Sequence, residues 1–97
     1  MQLDELRAQI DQIDEELLRL FEKRMQIATQ VAAYKKARGL PVLDRKREIE
    51  KLEPLAKKVS PELGSYAQDL YETLFALSRR YQEKQGVEES RCADADS

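Results

Sequence analysis

The sequence predicts an all-α protein of three helices per protomer, the first of them very long. Charged residues make up 37% of the chain and aromatic residues 6%, which is typical of long exposed helices rather than of sheets. Along residues 3–34, apolar residues recur at alternating spacings of three and four, the pattern of a helix that packs lengthwise on another helix. No glycine or proline interrupts that stretch. These observations favour helical packing throughout.

The first helix is predicted from Asp4 to Arg38, with Asp4 as N-cap and Gly39 as the left-handed residue that ends it. Its length is roughly 50 Å, whereas a compact domain of this size has a radius of gyration of about 13 Å. The helix therefore needs a second copy to cover its apolar face, and we expect an intertwined homodimer. We call this face the α1 seam: Leu3, Leu6, Ile10, Ile13, Leu17, Leu20, Ile27, Val31 and Tyr34.

Two cations mark one face of this helix. Arg24 takes the seam position between Leu20 and Ile27, and Lys35 follows eleven residues later, within about 20° of the same face. Small residues between them leave room for an anion. From the residues alone, a register-setting arginine and a solvated lysine explain the pattern as well. Arg7 lies about 25 Å from Arg24 along the helix, so only an antiparallel partner brings the two together; otherwise Arg7 is a solvated charge.

A second helix is predicted to start at Asp44 as N-cap. Asp44, Arg47 and Glu48 share a face, which indicates either a polar site or a cap with a local ion pair. Pro54 interrupts this helix, and we expect a continuous but bent element.

The third helix is predicted to follow the N-cap Ser60 and to run to about Gln85. Ser78 and Gln82 lie four residues apart beside its apolar stripe, as part of a site or as a plain polar edge. Residues 86–97 lack periodicity and are acidic and small. We therefore expect one domain over residues 1–85, followed by a disordered tail or linker.

Composition excludes several classes of function. The net charge of −2 argues against a nucleic-acid partner, and no apolar run reaches membrane length. The chain has no histidine and one cysteine, Cys92, so a zinc site, a cysteine nucleophile and a histidine triad are all disfavoured. We expect a cytoplasmic protein that uses no metal and no cofactor, with chemistry limited to Arg, Lys, carboxylates, amides and hydroxyls.

Taken together, these positions resemble the all-helical chorismate mutases of the bacterial dimeric type. The resemblance covers residues 3 to about 85 and rests on four motifs. They are LRAQIDQIDEELLRLFEKR, VAAYKK with its lysine eleven residues after the seam arginine, Pro-Val-x-Asp-x-x-Arg-Glu, and Ser-x-x-x-Gln. Pro54 and Gly64 depart from the family pattern. They concern helix geometry rather than the site.

The resemblance implies a reaction and a set of roles. Chorismate, a dicarboxylate with a ring hydroxyl and an ether oxygen, rearranges to prephenate in phenylalanine and tyrosine biosynthesis, with no covalent intermediate. The expected catalytic residues are Lys35, Gln82 and Arg24, and Lys35 and Gln82 are expected to flank the ether oxygen. Three arginines are expected to bind the substrate carboxylates, Asp44 and Glu48 to receive the ring hydroxyl, and Ser78 to donate a hydrogen bond to one carboxylate. The full substrate-binding set is Arg7 from the partner protomer, Arg24, Lys35, Asp44, Arg47, Glu48, Ser78 and Gln82.

Two alternatives stay open. Isochorismate-pyruvate lyase is a sister activity on the same fold, and it also uses a cationic pocket. A non-catalytic antiparallel coiled-coil adaptor would need only the periodicity. Against the adaptor stands Arg24 in the seam, which weakens packing without benefit in a purely structural protein.

Overall fold

The structure is a computed structural model that describes the backbone of residues 2–96 and the side chains of residues 2–85. Within that part, the chain forms three α-helices and one 3₁₀ turn. These are α1 (Gln2–Ala37), α2 (Arg45–Ala56), the turn Pro61–Leu63 and α3 (Gly64–Asp96). The predicted all-α class is confirmed. Among these described helices, none combines the length and apolarity that a membrane crossing requires.

The first helix is unbroken, as predicted, but it begins two residues early. The prediction of Asp4 as N-cap is wrong, because Asp4 lies inside the first turn with Glu5. Both carboxylates there still interact favourably with the helix dipole. The predicted end is confirmed at Gly39, which has a φ of 67°. The Leu40 N–H donates to the Lys35 carbonyl at 2.8 Å and the Gly39 N–H donates to the Lys36 carbonyl at 3.2 Å, a Schellman motif.

The α1 seam is exposed in the single chain. Each of its nine residues is between 47% and 58% exposed, and no residue of α1 is buried. An apolar stripe of this length is uncommon on the surface of a monomer.

The second helix has the predicted cap. Asp44 Oδ1 accepts a hydrogen bond from the Arg47 N–H at 3.1 Å, which satisfies one of the free donors of the first turn. The helix continues through Pro54 to Ala56, so its predicted continuity is confirmed. The bend at Pro54 stays a prediction.

The third helix begins differently from the prediction. Ser60 is the N-cap residue with Pro61 after it, as predicted, but it caps the 3₁₀ turn and makes no side-chain cap hydrogen bond. Within that turn the Leu63 N–H donates to the Ser60 carbonyl at 2.8 Å. Helix α3 starts at Gly64 and runs to Asp96, so it is longer than the predicted helix. The predicted tail, residues 86–97, falls outside the described side chains, and a separable tail stays a prediction.

The chain divides into two compact units, Met1–Tyr34 and Lys35–Ser97. In the second unit, α2 and α3 pack antiparallel. Gly64 at the start of α3 lies against Ala56 at the end of α2, and one turn on the Gln68 side-chain amide donates to the Leu52 carbonyl at 3.5 Å. Gly64 is buried at this contact.

An aromatic pair forms the centre of this second unit. Phe75 is 5% exposed, and its ring meets Tyr71 edge to face, with centroids 6.1 Å apart and an interplanar angle of 62°. Such a pair stabilises by about 0.5–1.5 kcal/mol beyond the burial of its area. Both rings lie on α3, and Phe75 is one turn before Ser78.

Candidate functional site

The predicted site residues are divided between the two units. Arg7 and Arg24 belong to the first unit. The second unit holds the remaining six: Lys35, Asp44, Arg47, Glu48, Ser78 and Gln82.

The two arginines of the first unit lie far apart on one helix. Arg7 is exposed and makes no ion pair with a described residue, while Arg24 is half-buried. Seventeen residues of α1 separate them, which corresponds to about 25 Å along the axis. One chain therefore cannot bring both guanidinium groups to the same small ligand.

Lys35 opens the second unit at the last turn of α1. Its carbonyl accepts hydrogen bonds from Leu40 and Arg38 in the turn that ends the helix, which fixes its backbone. Its side chain is half-buried, and among residues 2–85 no carboxylate pairs with its ammonium group. A lysine at this position can serve as a positive point charge for an anionic ligand.

Glu48 is the most enclosed carboxylate of the predicted set. Its side chain is 17% exposed, and its Oε1 accepts hydrogen bonds from Arg45 Nη1 at 3.1 Å and from Arg79 Nη1. Arg45 also contacts α3 through Nη2, which lies 3.1 Å from Oε1 of Glu72, about two turns before Arg79. The hydrogen bonds to Glu48 and then to Glu72 raise the pKa of Arg45.

This arrangement corrects one expectation. The local ion pair considered for Asp44, Arg47 and Glu48 does not form, because Glu48 pairs with Arg45 one turn back and with Arg79 on the neighbouring helix. Sequence reasoning missed Arg79. The pair joins residues 31 positions apart, and helical periodicity within one element carries no signal for such a contact.

Arg47 presents a different face of α2. Its N–H is held by the Asp44 cap, but its guanidinium makes no ion pair within the described side chains. It lines a small surface depression together with residues from the same face of the helix and the turn after it: Glu50, Lys51, Pro54, Leu55 and Lys58. An arginine so placed can offer two parallel N–H donors to a carboxylate.

Ser78 and Gln82 lie one turn apart on α3. Ser78 is buried, with 8% exposed, and Gln82 is half-buried. Arg79 follows Ser78 directly and contacts Glu48 near the start of α2. The antiparallel packing therefore brings the predicted α2 and α3 residues to one end of the helix pair. That end combines a cation, a carboxylate, a hydroxyl and an amide.

Comparison with known proteins identifies the family. Residues 6–83 match the family described as chorismate mutase type II. The chain belongs to this family. The family that the sequence motifs indicated is thus confirmed, and the matched range spans the eight predicted site positions, whose roles stay predictions.

Two curated proteins show the same relationship. The chain is 39% identical over 70 residues to the T-protein of Haemophilus influenzae, covering 72% of this chain and 18% of that protein. It is 46% identical over 61 residues to the bifunctional chorismate mutase/prephenate dehydratase of Aquifex aeolicus, covering 60% of this chain and 17% of that protein. The chain therefore spans less than a fifth of each relative. No solved structure gives a significant match to it.

Proposed function

We propose that this protein is a chorismate mutase, which converts chorismate to prephenate by a pericyclic rearrangement in the synthesis of phenylalanine and tyrosine. The observation that carries the proposal is the match of residues 6–83 to the chorismate mutase type II family. The name of the Aquifex aeolicus relative supports it, since the matched segment is a small part of a protein named for this activity. The substrate is a small dicarboxylate, and the reaction needs no metal or other cofactor.

The proposed roles follow the chemistry of the substrate. Arg7, Arg24 and Arg47 bind the carboxylates and hold the compact conformer, since guanidinium groups bind carboxylates through paired hydrogen bonds. Ser78 donates to one carboxylate. Among the described residues, no carboxylate pairs with the Arg47 guanidinium, and Arg47 lines a depression that also contains two lysines. Both observations support its part in this set.

Two groups are assigned to the breaking C–O bond. Lys35 and Gln82 donate to the ether oxygen, where negative charge grows as the bond breaks. Donors fixed before the reaction stabilise such a charge without reorganising, and positioning of the substrate lowers the barrier further. The Schellman turn that fixes the Lys35 backbone supports this assignment. Glu48, with Asp44, receives the ring hydroxyl.

An intertwined homodimer completes the proposal. The exposed α1 seam supports it, because a second α1 running antiparallel would cover the seam. The separation of about 25 Å between Arg7 and Arg24 on one helix supports a site made from both chains, with Arg7 supplied by the partner. We further propose that residues 1–85 form the catalytic domain, since the family match ends at residue 83. The single cysteine supports a cytoplasmic location.

The direct test is turnover by the purified chain. The chain is expected to convert chorismate to prephenate and to form no salicylate and pyruvate from isochorismate. Salicylate and pyruvate from isochorismate, without prephenate from chorismate, would establish the lyase. Turnover of neither substrate would favour an adaptor. Arg47→Ala should lower kcat/KM by about 10²-fold or more, because it leaves a substrate carboxylate unpaired. Lys46→Ala is the matched control, since it removes an equal charge from the adjacent exposed position.

Complementation tests the shared site. Arg7→Ala and Arg24→Ala proteins are each expected to be nearly inactive. In a mixed dimer one site carries both changes and the other carries neither. Refolding the two together in equal amounts should therefore restore about one quarter of the wild-type sites. Native mass spectrometry would verify that mixed dimers form; mixed dimers without activity would contradict the contribution of Arg7 across the interface.

A further inference from the structure

We propose that Arg79, assisted by Arg45, is a positioning residue that fixes the Glu48 carboxylate so that its second oxygen, Oε2, accepts the hydrogen bond from the substrate's ring hydroxyl. The inference rests on the proposed function, since it takes Glu48 as the hydroxyl acceptor. It adds a residue that neither the motifs nor the family resemblance singled out.

The two carboxylate oxygens of Glu48 have different surroundings. Both guanidinium groups contact Oε1, Arg45 from one turn back on α2 and Arg79 from α3. No hydrogen bond or ion pair from the described residues reaches Oε2. Two charge-assisted hydrogen bonds from separate directions hold one oxygen in place and thereby select the side-chain rotamer. Oε2 keeps its capacity to accept a hydrogen bond.

Arg79 contributes more to this constraint than Arg45. The side chain of Arg45 is 48% exposed and is shared between Glu48 and Glu72, whereas that of Arg79 is 31% exposed and pairs with Glu48. Solvent screens the more exposed pair more strongly. The Arg79 contact also joins two helices, so it fixes Glu48 relative to Ser78 and Gln82. The Arg45 contact on Glu48 stays within α2.

A merely structural ion pair is the competing explanation. Partly exposed ion pairs contribute little to the free energy of folding, so stability alone gives little reason for two guanidinium groups on one oxygen. The explanations differ in one respect. A positioning residue acts on catalysis through Glu48, and its effect should vanish when Glu48 can no longer be held as a carboxylate.

A double-mutant cycle on the full chain tests this. Arg79→Ala should lower kcat/KM for chorismate by about 10- to 100-fold, the range for a misplaced catalytic group. In a Glu48→Gln background, the same change should cost about twofold or less. Arg79→Lys should recover part of the loss because it keeps the charge. The matched control is Arg80→Ala, which removes an equal charge from the next, exposed position of α3 and should leave kcat/KM within about twofold.

Circular dichroism melting of each variant separates loss of fold from loss of position. If Arg79→Ala does not fold, Arg79→Gln serves in the same cycle, since it is neutral and keeps the helix. A chorismate analogue without the ring hydroxyl gives an independent readout: Arg79→Ala should leave kcat/KM for it unchanged within about twofold.

Several results would overturn the inference. They are a loss from Arg79→Ala that persists at full size in the Glu48→Gln background, an equal loss with the analogue, an equal loss from Arg80→Ala, or a Glu48→Gln protein with wild-type kcat/KM. In each of these the wild type still rearranges chorismate, so the proposed function stands. A wild type without that activity contradicts the proposed function itself, and the inference falls with it.

Discussion

Two glycines of this chain should respond in opposite directions to the same substitution. Gly64 has right-handed helical angles, φ −57° and ψ −46°, and a methyl group there would lie 3.4 Å from the Ala56 carbonyl oxygen and 3.6 Å from its Cβ. Those are ordinary contacts. Gly64→Ala should therefore stabilise the fold by about 0.4–1 kcal/mol, because alanine loses less conformational freedom on folding. Gly39 has a φ of 67° and open space around it, so Gly39→Ala should cost about 1–2 kcal/mol in backbone strain alone.

Thermal unfolding at a fixed protein concentration measures the difference. The two variants should differ by about 1.4–3 kcal/mol, the sum of the two opposite effects. For a domain of this size, 1 kcal/mol corresponds to about 4–8 °C, so their melting temperatures should lie about 6 °C or more apart. The concentration must be held constant because a dimer's melting temperature depends on it. A Gly64→Ala protein that melts below wild type would refute the close but unstrained packing of α2 on α3.

Three further predictions concern the site and the domain boundary. The Gln82→Glu protein should have a low turnover rate at pH 7.5 and regain activity towards pH 5, because only a protonated carboxyl group can donate to the ether oxygen. A pH–rate profile measured beside wild type tests this, and equal rates of the variant at the two pH values would contradict a contact between Gln82 and that oxygen. Asp44→Ala should cost about 1 kcal/mol in the free energy of unfolding, and Asp44→Ser should restore most of it, since serine also caps. Truncation after Gln85 should leave kcat/KM unchanged; a loss of several-fold would place residues 86–97 within the functional domain.

The parts of the fold that sequence predicted are those set by local chemistry. The period of the α1 seam gave the length of the first helix to within two residues at either end. Gly39 fixed the C-terminal end, because only a left-handed residue completes the Schellman turn there. Asp44 marks the start of α2, because its side chain accepts a hydrogen bond from the Arg47 N–H three residues later. Each signal lies within a few residues of the feature it predicts.

The parts that sequence missed depend on contacts between helices. Gly64 stands in the sequence only as a departure from the family pattern, but it is the buried residue at which the start of α3 meets Ala56. Ser60 looked like a side-chain cap, but in the 3₁₀ turn it is the Ser60 carbonyl that accepts a hydrogen bond, from the Leu63 N–H. The Arg79 contact with Glu48 arises only when α2 and α3 pack antiparallel. A single sequence carries no pairing information of that kind, so these features followed from the structure alone.

The charges of α2 divide between two faces in a way that suits an anionic substrate. Arg45 and Arg47 are two residues apart and point about 200° from each other. Arg45 and Glu48 turn toward α3, where Glu72 and Arg79 pair with them, so that face neutralises itself. Arg47 faces the other way, and no described carboxylate pairs with it. Had Arg47 paired with Glu48, its guanidinium would no longer be available as a cation for a ligand. The proposed roles use both groups: Arg47 is the cation assigned to a substrate carboxylate, and Glu48, about 100° around the same helix, is the acceptor assigned to the ring hydroxyl.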